Sequence, residues 1–126
     1  MKTSLILVAA VLSAAFAAGC TTVPVESGAT DTAQYRFGNY DVQVYSEMDR
    51  LIGAADRAMN EMDHTQTDKK RTGHEASLRY RGPGDNLVLI KLKNLGNDRH
   101  NIRIRYGVAG NLGMSEQVYE KMRPRL

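Results

Sequence analysis

Cys20 is the only cysteine of the chain, and its surroundings give it a specific chemistry. Small residues occupy positions 17–19, after a basic start at Lys2 and an apolar run over residues 5–16. This order is that of a secretory signal, and cleavage directly before a cysteine is typical of a bacterial lipoprotein. The sequence therefore predicts that the Cys20 thiolate takes a diacylglycerol, that cleavage follows Gly19, and that the new amine is acylated.

Two other interpretations of this N-terminus stay open. A transmembrane helix needs about 20 apolar residues, more than this run supplies, and an ordinary secretory signal gives the cysteine no role. With Cys20 lipidated, residues 1–19 are a signal peptide and the protein lies in the cell envelope. Thr21, next to the lipid, indicates the outer membrane, facing the periplasm. That compartment argues against nucleic acid as a partner despite a net charge of +3, and no thiol remains for a disulfide.

The other polar residues show no pattern typical of catalysis or metal binding. His64, His74 and His100 lack the i, i+4 spacing and the cysteine support of zinc sites. Each falls in or beside a predicted turn, so we expect exposed loop histidines. Ser46 and Ser115 are predicted to cap helices. We therefore predict no catalytic residue, no metal, no cofactor and no enzymatic activity.

Cations recur on three predicted strands near residues 76–81, 88–93 and 102–106, where apolar and polar residues alternate. The polar positions carry Arg79, Arg81, Lys91, Lys93, Arg103 and Arg105. Alternation places Glu75 as the only acid on the same face. The functional interpretation is a flat basic surface that binds anionic lipid or an acidic envelope protein. The competing interpretation is a solvated face whose long side chains cover apolar ground and discourage aggregation.

Three glycines, Gly107, Gly110 and Gly113, lie between the last predicted strand and the last predicted helix. A glycine loop before a helix can cradle phosphate, but this spacing matches no nucleotide-binding fingerprint. A tight connection that needs positive φ is the simpler interpretation.

The remaining patterning predicts one domain behind a tether. Residues 20–34 are rich in Thr, Ser, Gly, Ala and Pro and read as a flexible tether, and residues 35–126 form the domain. A strand over 40–45 leads through a Ser46 capping box into an amphipathic helix over 47–62. A charged edge strand over 64–71, the three strands above and a helix over 112–122 follow. We predict an α+β two-layer sandwich in the order β-α-β-β-β-β-α, with two helices on one face of a four- to five-stranded antiparallel sheet.

Several of these segments resemble a family of small bacterial lipoproteins that is known only as a domain of unknown function. The similar segments are Gly19-Cys20, the Tyr-rich strand that leads into an Asp- and Ala-rich helix, and residues 102–107, 110–111 and 115–122. The resemblance spans roughly residues 35–122 and implies no activity, cofactor or catalytic residue. It favours a non-catalytic binding or structural domain in the envelope. An accessory subunit or enzyme acting on envelope components is the alternative.

Overall fold

The computed structural model describes residues 21–23 and 33–126, so the predicted signal peptide and Cys20 lie outside the described residues. The strands and helices are β1 (Thr21–Val23), β2 (Ala33–Arg36), β3 (Asn39–Tyr45), α1 (Met48–Glu61), β4 (Thr65–Arg71), β5 (Glu75–Arg81), β6 (Leu87–Gly96), β7 (Arg99–Tyr106) and α2 (Leu112–Met122). Short 3-10 turns cover Pro83–Asp85 and Arg123–Arg125.

All strands join one open antiparallel sheet in the order β1-β2-β3-β7-β6-β5-β4. Strands β4 to β7 form a meander, because short turns connect alternating segments. The chain returns so that β7 lies between β6 and β3. The predicted α+β class and antiparallel sheet are confirmed. The predicted number of four to five strands is wrong, since residues 33–126 supply six and β1 adds a seventh.

The two strands missed by the prediction lie largely in the segment that was expected to be a tether. Strand β1 pairs Thr21 with Tyr35 and Val23 with Ala33, and Ala33 is fully buried. The tether prediction is therefore wrong for residues 21–23 and 33–34. Strands of three and four residues are too short to show an alternation that could have revealed them.

Both helices cover the same face of the sheet. The buried face of α1 includes Leu51, Ala55 and Met59, and that of α2 includes Val118 and Tyr119. These residues share one core cluster with the inward side chains of β3, β5, β6 and β7. Period-3.6 stripes on the helices and period-2 alternation in the strands produce this two-layer packing. The two-layer arrangement expected from the sequence is thus observed, and α2 has the predicted bounds.

Neither predicted serine cap is present. Helix α1 begins after Glu47 without a side-chain cap, and the buried Ser46 Oγ has no hydrogen-bond partner among the described residues. Helix α2 is capped by Asn111, whose Oδ1 accepts from the Met114 backbone N–H at 3.0 Å. Ser115 lies inside α2 and is fully buried. Asn is as good an N-cap as Ser, so residue type did not favour Ser115 over Asn111 as the cap of α2.

Candidate binding face of the sheet

The sheet face opposite the helices carries the side chains that alternate with the core positions. Exposed and buried residues alternate along most of β5, β6 and β7. This face holds all six cations that the sequence placed on it: Arg79, Arg81, Lys91, Lys93, Arg103 and Arg105. Lys91 lies directly opposite Arg103 in the register. Like charges in that position are destabilising, so any compensation must come from elsewhere on the face.

Arg103 is compensated by Asp41 of β3, its neighbour in the register. Its Nε donates to Asp41 Oδ1 at 2.8 Å and its Nη2 donates to Oδ2 at 3.3 Å. Asn101 Nδ2 donates to the same carboxylate at 3.1 Å. The hydrogen bond with Asp41 raises the pKa of the Arg103 guanidinium. A two-pronged Arg–carboxylate pair of this kind fixes both side chains, so Arg103 is held within the sheet.

Arg81 and Arg105 also have partners. Arg81 pairs with Asp85 four residues later, in the turn that follows β5. The Arg105 guanidinium donates to two backbone carbonyls, those of Phe37 at 2.7 Å and of Val108 at 2.6 and 3.0 Å. Arg105 therefore ties the β2–β3 turn to the loop after β7, and its charge is committed to backbone oxygens.

The other three cations are free. The side chains of Arg79, Lys91 and Lys93 are exposed and form no hydrogen bond or ion pair with any other residue in the described part of the chain. In the register, Arg79 lies between Asp68 and Leu89. Lys91 lies between Ser77 and Arg103, and Lys93 lies between Glu75 and Asn101. We call Arg79, Lys91 and Lys93 the free cations.

The acidic residues on this face are more numerous than alternation predicted. Besides Glu75, the face carries Asp41, because β3 pairs with β7, and Asp68, because β4 pairs with β5 opposite Arg79. The expectation that Glu75 is the only acid there is wrong, since it ignored the two outer strands.

The face is grooved, which corrects the expectation of a flat surface. One depression of about 530 Å³ spans β4 to β7, and its lining includes five cations (Lys70, Arg79, Lys91, Lys93 and Arg103) and two carboxylates (Asp68 and Glu75). A second depression of about 770 Å³ continues toward β2 and β3. The two depressions share Lys93, Asn101 and Arg103, so they form one groove across the sheet. Positive charge prevails in the first depression, which contains all the free cations.

Two of the three histidines are buried, so the prediction of exposed loop histidines is wrong for His64 and His100 and holds for His74. His64 Nδ1 donates to the Met62 carbonyl oxygen at 2.7 Å, because that oxygen can only accept. His64 Nε2 lies 2.9 Å from the Tyr106 hydroxyl, so both ring nitrogens of this buried histidine have hydrogen-bond partners within the fold. His100 lies on the inward side of β7, on the same side as Ile102 and Ile104. The alternation of residues in the sequence was therefore enough to predict that His100 is buried.

The strand-to-helix connection has the expected backbone conformation at two of its three glycines. Gly107 and Gly110 have φ of 80° and 84°, while Gly113 lies within α2. Within the described residues, no three His, Cys, Asp or Glu side chains are placed to hold a metal ion. The helices described here also lack the length and apolar character that crossing a bilayer would take.

Fold and face together define a small antiparallel α+β domain with one covered sheet face and one open, basic, grooved face. A family model described as a protein of unknown function, DUF3568, matches residues 2–124. The chain therefore belongs to that family, which confirms the resemblance to a domain of unknown function. No curated protein matches the chain. The lipoprotein character suggested by the sequence stays a prediction.

Proposed function

We propose that this protein is a lipid-anchored component of the bacterial envelope, and that its domain binds an acidic polypeptide segment in the basic groove without catalysing a reaction. One observation carries the proposal: Arg79, Lys91 and Lys93 are exposed in a shared depression and have no partner among the described residues. Unpaired like charges gathered on neighbouring strands repel one another. An anionic partner would relieve that repulsion.

The shape of the face favours a polypeptide segment over a lipid headgroup layer. A bilayer is flat on the scale of this domain, so it meets the rim of a depression before its floor. An extended acidic segment can enter the groove and reach Lys91 and Lys93. Polar groups such as Ser77 and Asn101 line the same groove and can bond to the backbone of such a segment.

The strength expected from charge alone is modest. An exposed ion pair contributes about 0.2–1 kcal/mol, so three of them contribute roughly 0.6–3 kcal/mol, which is about a 3- to 150-fold gain in affinity. Exposed charges are screened over about 8 Å at physiological ionic strength. Binding should therefore be weak and sensitive to salt.

The proposed lipid anchor would compensate for weak binding, because it keeps the domain at the membrane surface. Each buried methylene of an acyl chain contributes about 0.8 kcal/mol, so two or more chains on Cys20 hold the protein stably at the membrane. The residue after Cys20 is Thr21, which supports the outer membrane, facing the periplasm. Confinement to one surface raises the local concentration of the groove for partners in the same compartment.

The test uses the full chain in nanodiscs of zwitterionic lipid and fluorescent poly-L-glutamate as the probe. A groove variant carries Glu in place of the free cations Arg79, Lys91 and Lys93. A control variant carries Glu at Arg50, Arg57 and Lys69, which are exposed and lie outside the lining of the groove. Both variants change the net charge equally.

We expect the groove variant to lose at least tenfold in affinity while the control stays within about threefold, and we expect binding to weaken from 50 to 300 mM salt. Equal losses in the two variants, or no binding of poly-L-glutamate at 50 mM salt, would contradict the proposal. Added phosphatidylglycerol vesicles form a second arm. Binding to vesicles but not to poly-L-glutamate would identify anionic lipid as the partner and overturn the polypeptide assignment.

A further inference from the structure

The turn between β2 and β3 holds a residue that its backbone does not favour. Arg36 pairs with Asn39, so Phe37 and Gly38 are the two turn residues, and their φ values are 52° and 80°. A two-residue hairpin turn with both φ positive strongly prefers Asn-Gly, Asp-Gly or Gly-Gly. A bulky side chain at positive φ is an outlier. A reason for Phe37 must therefore come from outside the turn.

Packing does not supply that reason. Phe37 is 87% exposed, and Val108, in the loop after β7, is 81% exposed. They are the two most exposed large apolar side chains of the described residues. Residues held in costly backbone conformations cluster at functional sites. We call Phe37 and Val108 the apolar tip.

The structure holds the two halves of the apolar tip together. One guanidinium, that of Arg105, donates to the carbonyl oxygens of both Phe37 and Val108. The two loops also touch at Gly38 and Gly110, where a Cβ on either glycine would overlap the backbone of the other loop. The apolar tip is thus a preorganised feature of two loops that are a little over seventy residues apart in sequence.

The register of β1 relates the apolar tip to the predicted lipid. Strand β1 is antiparallel to β2 and pairs Thr21 with Tyr35. Tyr35 precedes Phe37 by two residues, about 7 Å along a strand. The N-terminal end of β1 therefore lies at the end of the sheet that carries the apolar tip. Cys20 is the residue before Thr21.

We propose that the apolar tip seats in the interfacial layer of the membrane that holds the Cys20 lipid. This inference rests on the lipid anchor of the proposed function. Once the anchor is inserted, contact of the apolar tip is an intramolecular step with a high effective concentration, so two apolar side chains suffice. Exposed Arg36 lies beside Phe37, where it can meet headgroup phosphates.

This seating would also fix the orientation of the domain. The apolar tip lies at one end of β2, β3 and β7, so these strands would rise from the bilayer. The first depression of the groove, which holds the free cations, spans β4 to β7, so it would open sideways into the periplasm, where an acidic polypeptide segment can reach it. The second depression, whose lining includes Arg36 and Phe37, would end at the bilayer.

The absence of tryptophan from the chain allows a direct test. Phe37→Trp places a single reporter at the apolar tip, and Tyr45→Trp places a matched reporter at the other end of β3, where Tyr45 is 60% exposed. The full chain is reconstituted into phosphatidylcholine–phosphatidylglycerol vesicles with and without brominated acyl chains. Val108→Trp is a second reporter at the apolar tip that leaves the strained turn unchanged.

We expect blue-shifted emission and at least twofold quenching by brominated lipid for Phe37→Trp and Val108→Trp, and water-like, unquenched emission for Tyr45→Trp. If the protein floats with the vesicles and all three reporters stay water-like, or all three are quenched equally, the seating of the apolar tip is wrong and the anchor stands. If the protein lacks lipid by mass and does not float, the anchor is wrong and this inference falls with it.

Discussion

Replacing Arg105 by Met should destabilise the domain, whereas the same change at Arg79 should not. The two arginines lie on the same face of the sheet, on either side of Leu89 in the register. Arg105 donates three hydrogen bonds to the carbonyl oxygens of Phe37 and Val108. Arg79 has no such partner among the described residues. Met keeps an unbranched stem in both cases and removes only the guanidinium.

The expected size follows from these bonds. A hydrogen bond from a charged group contributes about 1.5–3 kcal/mol, but Arg105 is only partly buried and its bonds to Phe37 and Val108 lie at the exposed surface. Solvent therefore reduces the total to roughly 1–2 kcal/mol. For a domain of this size, each kcal/mol shifts Tm by about 4–8 °C, so R105M should lower Tm by roughly 5–15 °C. R79M should stay within about 0.5 kcal/mol of the parent, as surface substitutions do.

The assay is thermal unfolding followed by far-UV circular dichroism, with the full chain in a mild non-ionic detergent. R105K serves as the intermediate case, since it keeps the charge and loses the forked geometry. Equal Tm values for R105M and R79M would refute the division of the six cations into structural and free residues. That division underlies the choice of Arg79, Lys91 and Lys93 as the binding residues.

Four further predictions each rest on a single feature of the chain. Burial, aided by a hydrogen bond to a carboxylate, raises the pKa of Tyr80 well above its ordinary value. The unfolded chain then ionises first, and stability that is complete below about pH 10 should fall above it by up to about 1.4 kcal/mol per pH unit. Urea unfolding between pH 8 and 11 should show that the free energy of unfolding falls less steeply with pH in Y80F than in the parent protein. Gly110→Ala should cost about 1–3 kcal/mol, because the φ of Gly110 is 84° and the added Cβ would overlap the backbone of Gly38. Gly53→Ala, in an open position on α1, should stabilise by about 0.5–1 kcal/mol in the same melts. Cys20→Ser should remove the lipid from the intact mass and release the protein from the membrane fraction; an unchanged mass and distribution would exclude lipidation at that residue.

Local periodicity explains most of what was predictable about the fold. Alternation in residues 88–92 and a 3.6-residue stripe through Leu51, Ala55 and Met59 are properties of short segments, so they can be read without knowing the fold. The two-layer packing follows, because each element has a single apolar face to bury. Strands β1 and β2 were not predicted, because their formation depends on pairing with each other and with β3, and neither has an alternating pattern of its own.

The candidate site also has a part that local sequence patterns predicted and a part that they did not. Parity along each strand placed six cations on one face, because side chains alternate strictly in an extended chain. Parity could not tell which of them are free. That depends on Asp41 lying opposite Arg103, a contact across 62 residues, and on Phe37 lying within reach of Arg105, a contact across 68 residues.

The sequence by itself determined the predicted anchor, the two helices, the meander and the basic character of the open face, because each of these is written in residues that are neighbours along the chain. Only the tertiary structure decided which cations stay free, that the face is grooved, that His64 is buried against Tyr106, and that Thr21 lies at the end of the sheet with Phe37. These features arise where β7 returns beside β3, where β1 folds back on β2, and, for His64, where the segment before β4 meets the end of β7. Their energies come from contacts between distant segments, which no local pattern of residues encodes.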